Sequence, residues 1–259
     1  MKKILYLAIL SLLTVQLAFA QDKLGFSKEM YVSGTDTLLY RMLVPENFDP
    51  AKKYPVLLFL HGAGERGNDN EAQLMHGSKL FLRSDLRSSF PAIIIFPQCP
   101  KNDFWANVKF GDGINTDRFG FQKGGKPGKA MALVMKLVSD LKSKSYTADN
   151  QFYVGGLSMG GMGTFELLRR KPKTFAAAFA ICGGDEVENV RKYKKIPIWV
   201  FHGGKDTTVP IQKSEIVVNE LKRLGANVKF TVYPEAGHNS WDPAFAEPDF
   251  LPWLFSYKK

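Results

Sequence analysis

Phe152-Tyr153-Val154-Gly155-Gly156-Leu157-Ser158-Met159-Gly160-Gly161 is the stretch that decides how the rest of the chain reads. Residues 152–154 have the apolar, aromatic character of a buried strand, and residues 159–170 read as a helix that follows directly. Between them, Gly156-Leu157-Ser158-Met159-Gly160 has the form G-x-S-x-G. A serine on so tight a strand-to-helix turn needs neighbours without bulk two positions before and two after it. The helix that begins there adds the positive end of its dipole to any negative charge developing beside the serine. Gly161 and Gly163 let that helix pack closely.

Working outward, five more short apolar runs occupy residues 56–60, 92–96, 176–181, 197–201 and 228–232, each bounded by Gly, Pro or polar residues. Runs of this kind read as strands buried on both faces of a parallel sheet. Helical spacing appears at 129–144, through Met131, Leu133, Val134, Leu137, Val138 and Leu141, and again at 211–224, between Pro210 and Gly225. Two apolar runs at 26–32 and 38–44, with Ser33-Gly34-Thr35-Asp36 between them, read as an antiparallel hairpin. The predicted fold is α/β, with a mostly parallel, doubly wound sheet flanked by helices and an N-terminal hairpin. Ligands of such sheets sit beyond the carboxyl ends of the strands. Residues 98–129 carry little helix or strand signal but hold Phe104, Trp105, Phe110, Phe119 and Phe121, which predicts an ordered flap over the site.

The chain of 259 residues is long enough for one large domain. Residues 1–20 differ from the rest. Lys2 and Lys3 precede an apolar run, and Ala18-Phe19-Ala20 has the small residues that a signal peptidase reads. The expectation is a secretory signal cleaved before Gln21, leaving a single catalytic domain over 21–259 with no membrane anchor. The apolar run is short for a membrane span. Without Lys2 and Lys3 the formal charge falls from +10 to +8. Scattered lysines and the lack of a nucleic-acid motif point to a solvated basic surface, not a nucleic-acid partner. Cys99 and Cys182 fall near the ends of separate strands, and the expectation is that they stay unpaired.

Along folds with this turn the acid follows the serine and the histidine comes last. Asp206 lies in His202-Gly203-Gly204-Lys205-Asp206-Thr207-Thr208-Val209-Pro210, just beyond a strand, and is the expected acid. Asp185, after the preceding strand, is an alternative, while Asp242 follows the histidine too closely. His238, in Ala236-Gly237-His238-Asn239-Ser240-Trp241, is the expected base, since imidazole can take the serine proton and return it. His61 and His202 each open a His-Gly pair at a strand end and read as loop braces. His76 has no partner visible in the sequence.

Leu60-His61-Gly62-Ala63-Gly64-Glu65-Arg66-Gly67 follows another strand and exposes backbone N–H groups. Ala63, with Gly64 as second choice, and Met159 are the expected oxyanion donors; one such donor is typically worth about 3 kcal/mol of transition-state stabilisation. The loop lacks the Gly-Lys-Ser/Thr ending of a phosphate-binding loop. The dispersed His residues and the lack of Cys-x-x-Cys predict no metal, and no cofactor fingerprint is present.

These motifs, together with Pro97-Gln98-Cys99-Pro100 and the Ser240-Trp241-Asp242 that follows Gly237-His238, resemble α/β-hydrolases. Within that superfamily the chain resembles secreted esterases grouped with "predicted peptidases", phospholipase/carboxylesterase-like proteins and carbohydrate esterase family one. The resemblance implies a serine esterase without cofactor, acting on a small ester or an acylated polysaccharide, with acetyl or feruloyl groups as the acyl portion. Two neighbours are set aside. Dienelactone hydrolases carry Cys where this chain has Ser158, and prolyl oligopeptidases carry a propeller for which 259 residues leave no room. Trp105 and Trp241 are candidates for stacking on a sugar or feruloyl ring, although either could instead pack beneath its loop, and Trp241 could hold the His238 loop. Glu65 and Arg66 either touch substrate or pair with each other or solvent. An acyltransferase or peptidase with the same three residues, and a carbohydrate-binding protein on an inactive hydrolase fold, are the competing readings.

Overall fold

The computed structural model describes residues 25–111 and 118–259; the predicted signal segment lies outside them. Among the described residues ten strands occur in chain order: β1 (Ser27–Ser33), β2 (Asp36–Leu43), β3 (Tyr54–Leu60), β4 (Ile93–Pro97), β5 (Val108–Phe110), β6 (Phe119–Phe121), β7 (Thr147–Leu157), β8 (Ala177–Ile181), β9 (Ile198–Gly203) and β10 (Val228–Tyr233). Seven helices accompany them: α1 (Ser78–Phe81), α2 (Ser84–Ser89), α3 (Lys129–Lys142), α4 (Met159–Arg170), α5 (Gln212–Arg223), α6 (Trp241–Ala246) and α7 (Phe250–Ser256). Eight strands form one sheet in the order β1-β2-β4-β3-β7-β8-β9-β10. From β4 to β10 all neighbours are parallel, and β1 and β2 add an antiparallel hairpin at one edge.

Each face of the sheet has its own core. On one side Met131, Leu137, Phe165, Val217 and Leu221 come from α3, α4 and α5. On the other, Phe81, Ala244, Phe250 and Leu254 come from α1, α6 and α7. Burial from both sides is why β3, β4, β8 and β9 read as nearly continuous apolar runs. The chain steps from β3 to β4 in one direction and then crosses to β7 on the other side of β3. The order thus reverses between β3 and β7, and the carboxyl ends of the strands at such a reversal are the usual ligand position in open α/β sheets.

The elbow between β7 and α4 depends on backbone approaching backbone. A Cβ added at Gly160 would lie 1.9 Å from Leu60 O, and one at Gly156 would lie 2.4 Å from the same oxygen. Gly161 abuts Ile181 O, at 2.6 Å from its hypothetical Cβ. The strand itself is longer than residues 152–154. Gly155 continues it but adds no apolar signal, because its place beside the strand is filled by the Phe179 ring, 2.1 Å from where a Cβ would stand.

The flap differs from the expected strandless loop. β5 and β6 pair in a two-stranded ladder. Phe110 packs against Phe104 and Phe119, with ring centroids 5.1 and 6.0 Å apart. Phe119 joins Met162 of α4 and Val209 of the acid loop in a small core. Arg169 and Arg170, both paired with the buried Glu166, donate to the carbonyls of Gly124 and Gly125 and tie the flap to α4.

Asp185, after β8, is buried among Tyr193, Asn189 and the Glu186 N–H, all of which donate to it. Burial nevertheless pushes its carboxyl up to about 6. Asn189 also donates to Gln122 O of the flap.

Two outcomes follow from this packing. Gly160→Ala should destabilise the protein by about 3 kcal/mol or more through the clash with Leu60 O, whereas Gly64→Ala, with nothing within 4 Å of the new methyl, should leave the thermal midpoint in place. Equal midpoints for the two variants would refute the close-approach argument. For Asp185 the folded-state value lies above the ordinary 3.8. Below about pH 4 the group is protonated in both states; as pH rises towards about 6 the unfolded chain ionises first, so the fold loses stability across that window, on the order of 2 kcal/mol. Urea midpoints of Asp185→Asn should lack this loss, and a wild-type-to-variant difference that is flat from pH 4 to pH 7 would contradict it.

Candidate active site

Ser158 closes β7 with φ 54° and ψ −118°. Among the described residues only Asn70 and Cys182 share a positive φ without being glycine. Such a conformation costs of order 1–3 kcal/mol and must be held by its surroundings. Here Ser158 N–H donates to Ile181 O at 2.8 Å, and Ser158 O accepts from Met162 N–H at 3.0 Å. The turn lifts the hydroxyl out of the sheet towards His238.

His238 bridges two side chains. Its Nδ1 lies 2.8 Å from Asp206 Oδ2, and its Nε2 lies 2.9 Å from Ser158 Oγ. A carboxylate accepts only, so Nδ1 carries the ring proton and Nε2 accepts from the serine hydroxyl. The loops carrying the acid and the base meet through glycine. A Cβ at Gly203 would stand 2.1 Å from Gly237 O, and Lys205 N–H donates to Ala236 O at 2.9 Å.

Asp206 has a fully buried side chain. Burial opposes its charge, but hydrogen bonds from His202, His238 and Val209 outweigh that and hold the carboxyl well below the usual carboxylate range. Its Oδ1 accepts from the N–H groups of Thr208 and Val209, both at 2.9 Å. The arrangement suits proton transfer: an ionised acid fixes the tautomer of a partly buried imidazole whose free nitrogen faces a hydroxyl.

The loop after β3 runs alongside. A Cβ at Gly62 would be 3.7 Å from Ser158 Cβ. Ala63 opens a short 3-10 turn, Ala63–Glu65, and Met159 opens α4. N–H groups at such starts lack partners within their own helix. Ala63 and Gly64 are exposed and Met159 is buried.

The remaining candidates separate clearly. Trp105 is not available to substrate. It is fully buried, its indole N–H donates to His61 O at 3.1 Å, and Gly163 makes room for it, with a hypothetical Cβ 2.4 Å from the tryptophan Cβ. Trp241 is half-buried. Its ring sits 5.4 Å from that of His238, edge to face, and it lines an open groove of about 630 Å³ with His76, Lys79, Arg83 and Phe245. His76 gains the partners that the sequence did not reveal: Trp241 at 5.0 Å and Glu65 at 3.7 Å. Arg66 turns to the carbonyls of Ala63 and Asp103, away from Glu65. His61 braces the loop, donating from Nδ1 to Gly62 O and accepting the Cys99 N–H at Nε2; burial lowers its pKa to about 4. Asp185 and Asp242 are engaged elsewhere, Asp242 with Asn239.

Cys182 Sγ, an Asp206 oxygen and a His238 nitrogen fall within 4.8 Å of one another. The hydrogen bond between Asp206 and His238 already uses the facing atoms, and burial pushes the Cys182 thiol above its ordinary range. The group is an acid–base pair beside a neutral thiol. Both cysteines are free and buried. No helix among the described residues is long and apolar enough to cross a membrane.

Residues 46–247 match the phospholipase/carboxylesterase family. The chain is similar to an uncharacterized secreted protein of Arthroderma benhamiae, with 24% identity over 242 residues, 79% of this chain but 23% of that protein. It is also similar to a probable carboxylesterase SOBER1-like of Arabidopsis thaliana, with 26% identity over 92% of this chain and 89% of the relative. Among solved structures it resembles a thermostable esterase, with TM-score 0.80 and 34% identity over 91% of this chain and 64% of that one. It shares its fold with a ferulic acid esterase, with TM-score 0.65 and 18% identity over 89% and 97% of the two chains. The chain thus spans about a quarter of the secreted relative and just under two thirds of the thermostable esterase. With more than three quarters of its length matched and an α/β-hydrolase sheet around it, the chain belongs to the phospholipase/carboxylesterase family.

Proposed function

We propose that the protein is a serine carboxylic-ester hydrolase that works through an acyl-enzyme on Ser158. The observation that carries this reading is the line of hydrogen bonds from Asp206 through His238 to a strained Ser158 at the start of α4. His238 Nε2 takes the proton of Ser158 as its Oγ attacks the ester carbonyl. The N–H groups of Ala63 and Met159 receive the oxyanion. His238 then gives the proton to the departing alcohol, and Ser158 keeps the acyl group. Water, deprotonated by His238, attacks that acyl group and releases the acid, and the proton returns to Ser158. Asp206 stays ionised throughout and holds His238 in the tautomer this needs.

The substrate in this reading is a small ester or an acylated polysaccharide, with an acetyl or feruloyl group removed. Three features support it: the resemblance of the sequence motifs to carbohydrate esterases, the fold shared with a ferulic acid esterase, and the groove lined by Trp241, whose ring also touches that of His238. Residues 1–20 act as a signal peptide and 21–259 as the secreted or periplasmic catalytic domain. The related secreted protein is in keeping with that.

The test compares the purified protein with Ser158→Ala on nitrophenyl acetate, methyl ferulate and acetylated xylan. The wild type should cleave at least one of them, and the variant should lose roughly 10⁴-fold or more in kcat. A variant that keeps its turnover would overturn the assignment of Ser158.

A further inference from the structure

We propose that His202 is a positioning residue for Asp206, sharing with His238 the carboxylate oxygen that orients the base; this rests on the ester-hydrolase reading above. His202 comes from the strand β9, not from the loop that carries the acid, and is fully buried. Its strand neighbours Trp199, Val200 and Phe201 are buried and apolar, so an imidazole breaks the pattern. A polar ring in such a place is costly unless its nitrogens are satisfied. Both are engaged here.

Nε2 of His202 lies 2.8 Å from Val209 O and 3.3 Å from Asp206 Oδ2. Both of those atoms only accept, so Nε2 carries a proton and forks it between them. Nδ1 lies 2.7 Å from Ser214 Oγ. Ser214 is itself fully buried on α5, and its hydroxyl donates to Gly183 O at 3.0 Å. Val209 closes the ring of contacts: its N–H donates to Asp206 Oδ1 while its carbonyl accepts from His202. The imidazole is therefore clamped between α5 and the acid loop, and it fixes which way the carboxylate faces.

The chemical consequence follows from the shared oxygen. Asp206 Oδ2 receives a short bond from His238 Nδ1, at 2.8 Å, and a longer one from His202. The second donor draws charge from Oδ2. It keeps Asp206 ionised and weakens its hold on the proton that His238 gains during the reaction. A base that must return its proton to the leaving alcohol gains from that moderation. Ser214 also seats the ring: its single hydroxyl proton faces both Gly183 O and Nδ1, and without that hydroxyl Nδ1 loses this contact. The titratable groups facing Asp206 are His202 from β9, His238 from the loop after β10, and Cys182 from the end of β8. The buried thiol stays neutral, which leaves His202 as the group that modulates the pair.

The test compares His202→Leu, which has no donor, with His202→Gln, which restores an N–H, and with Ser214→Ala. With the donor removed, Asp206 holds the imidazolium more tightly, so His202→Leu should move the acid limb of kcat/KM to higher pH by about half a unit or more. Ser214→Ala should move it the same way by less, and His202→Gln should bring it back. NMR titration of the His238 ring, with the same changes made in the Ser158→Ala protein, should show the same shifts without relying on turnover. Should His202→Leu not fold, Ser214→Ala and His202→Gln decide by these two readouts. Folded variants whose acid limb and His238 titration stay at the wild-type positions would overturn the proposal, as would equal losses of kcat in the Leu and Gln variants without a shift. A wild type that cleaves no ester would defeat the ester-hydrolase reading, while the titration would still decide the place of His202.

Discussion

The carbonyl oxygen of Leu60 sits where two glycines, Gly156 and Gly160, both press against it. No other residue type fits either place, since any Cβ there would collide with backbone. This approach fixes the distance between the end of β3 and the start of α4, and so the relation between the loop at Ala63 and the turn at Ser158. It also accounts for the strained backbone of Ser158. With its flanks pinned to Leu60 O and its own amide bonded to Ile181 O, the residue has little freedom to relax.

Around that fixed point the other loops converge by the same device. Gly203 allows the acid loop to touch the loop of His238, Gly163 admits Trp105 beneath α4, and Gly161 lies on the end of β8. Each loop leaves the carboxyl end of a different strand, so residues far apart in sequence, such as Ser158 and His238, meet within hydrogen-bond distance. Their chemistry then depends on sharing of charge. Asp206 is stabilised by donors on both of its oxygens, and His238 is held by one carboxylate and open to one hydroxyl. At Asp185 the balance falls the other way: both of its oxygens also accept hydrogen bonds, yet burial outweighs them and pushes the carboxyl up.

Much of this was legible in the sequence where burial and turn chemistry act locally. The inner parallel strands appear as apolar runs because both faces of the sheet are covered, whereas β10, expected to be buried on both faces, lies at the edge and is only partly buried; α4 begins and ends where its spacing predicted. The convergence of Ser158, Asp206 and His238 could be read because each follows a strand in a glycine-bearing loop. What could not be read depends on partners distant in sequence. Gly155 hides the length of β7 because Phe179 supplies its bulk. The flap strands carry few residues and are held by aromatic contacts between them and with Met162 and Val209. Trp105 could be read either as facing substrate or as packing beneath its loop, and only the space left at Gly163 and the carbonyl of His61 show that it is core. His76 needed Glu65 and Trp241, which approach it from two other segments. His202 was legible as a brace by its place at a strand end, but the atom it braces was not.

The most direct test of the account is chemical capture of the serine. Incubation with a serine-directed phosphonate, followed by intact-protein and peptide mass spectrometry, should add one phosphonyl group to the peptide containing Ser158 and none to the Ser158→Ala protein. A protein that hydrolyses esters yet takes no label, or takes it on another residue, would contradict the central claim that Ser158 is the nucleophile.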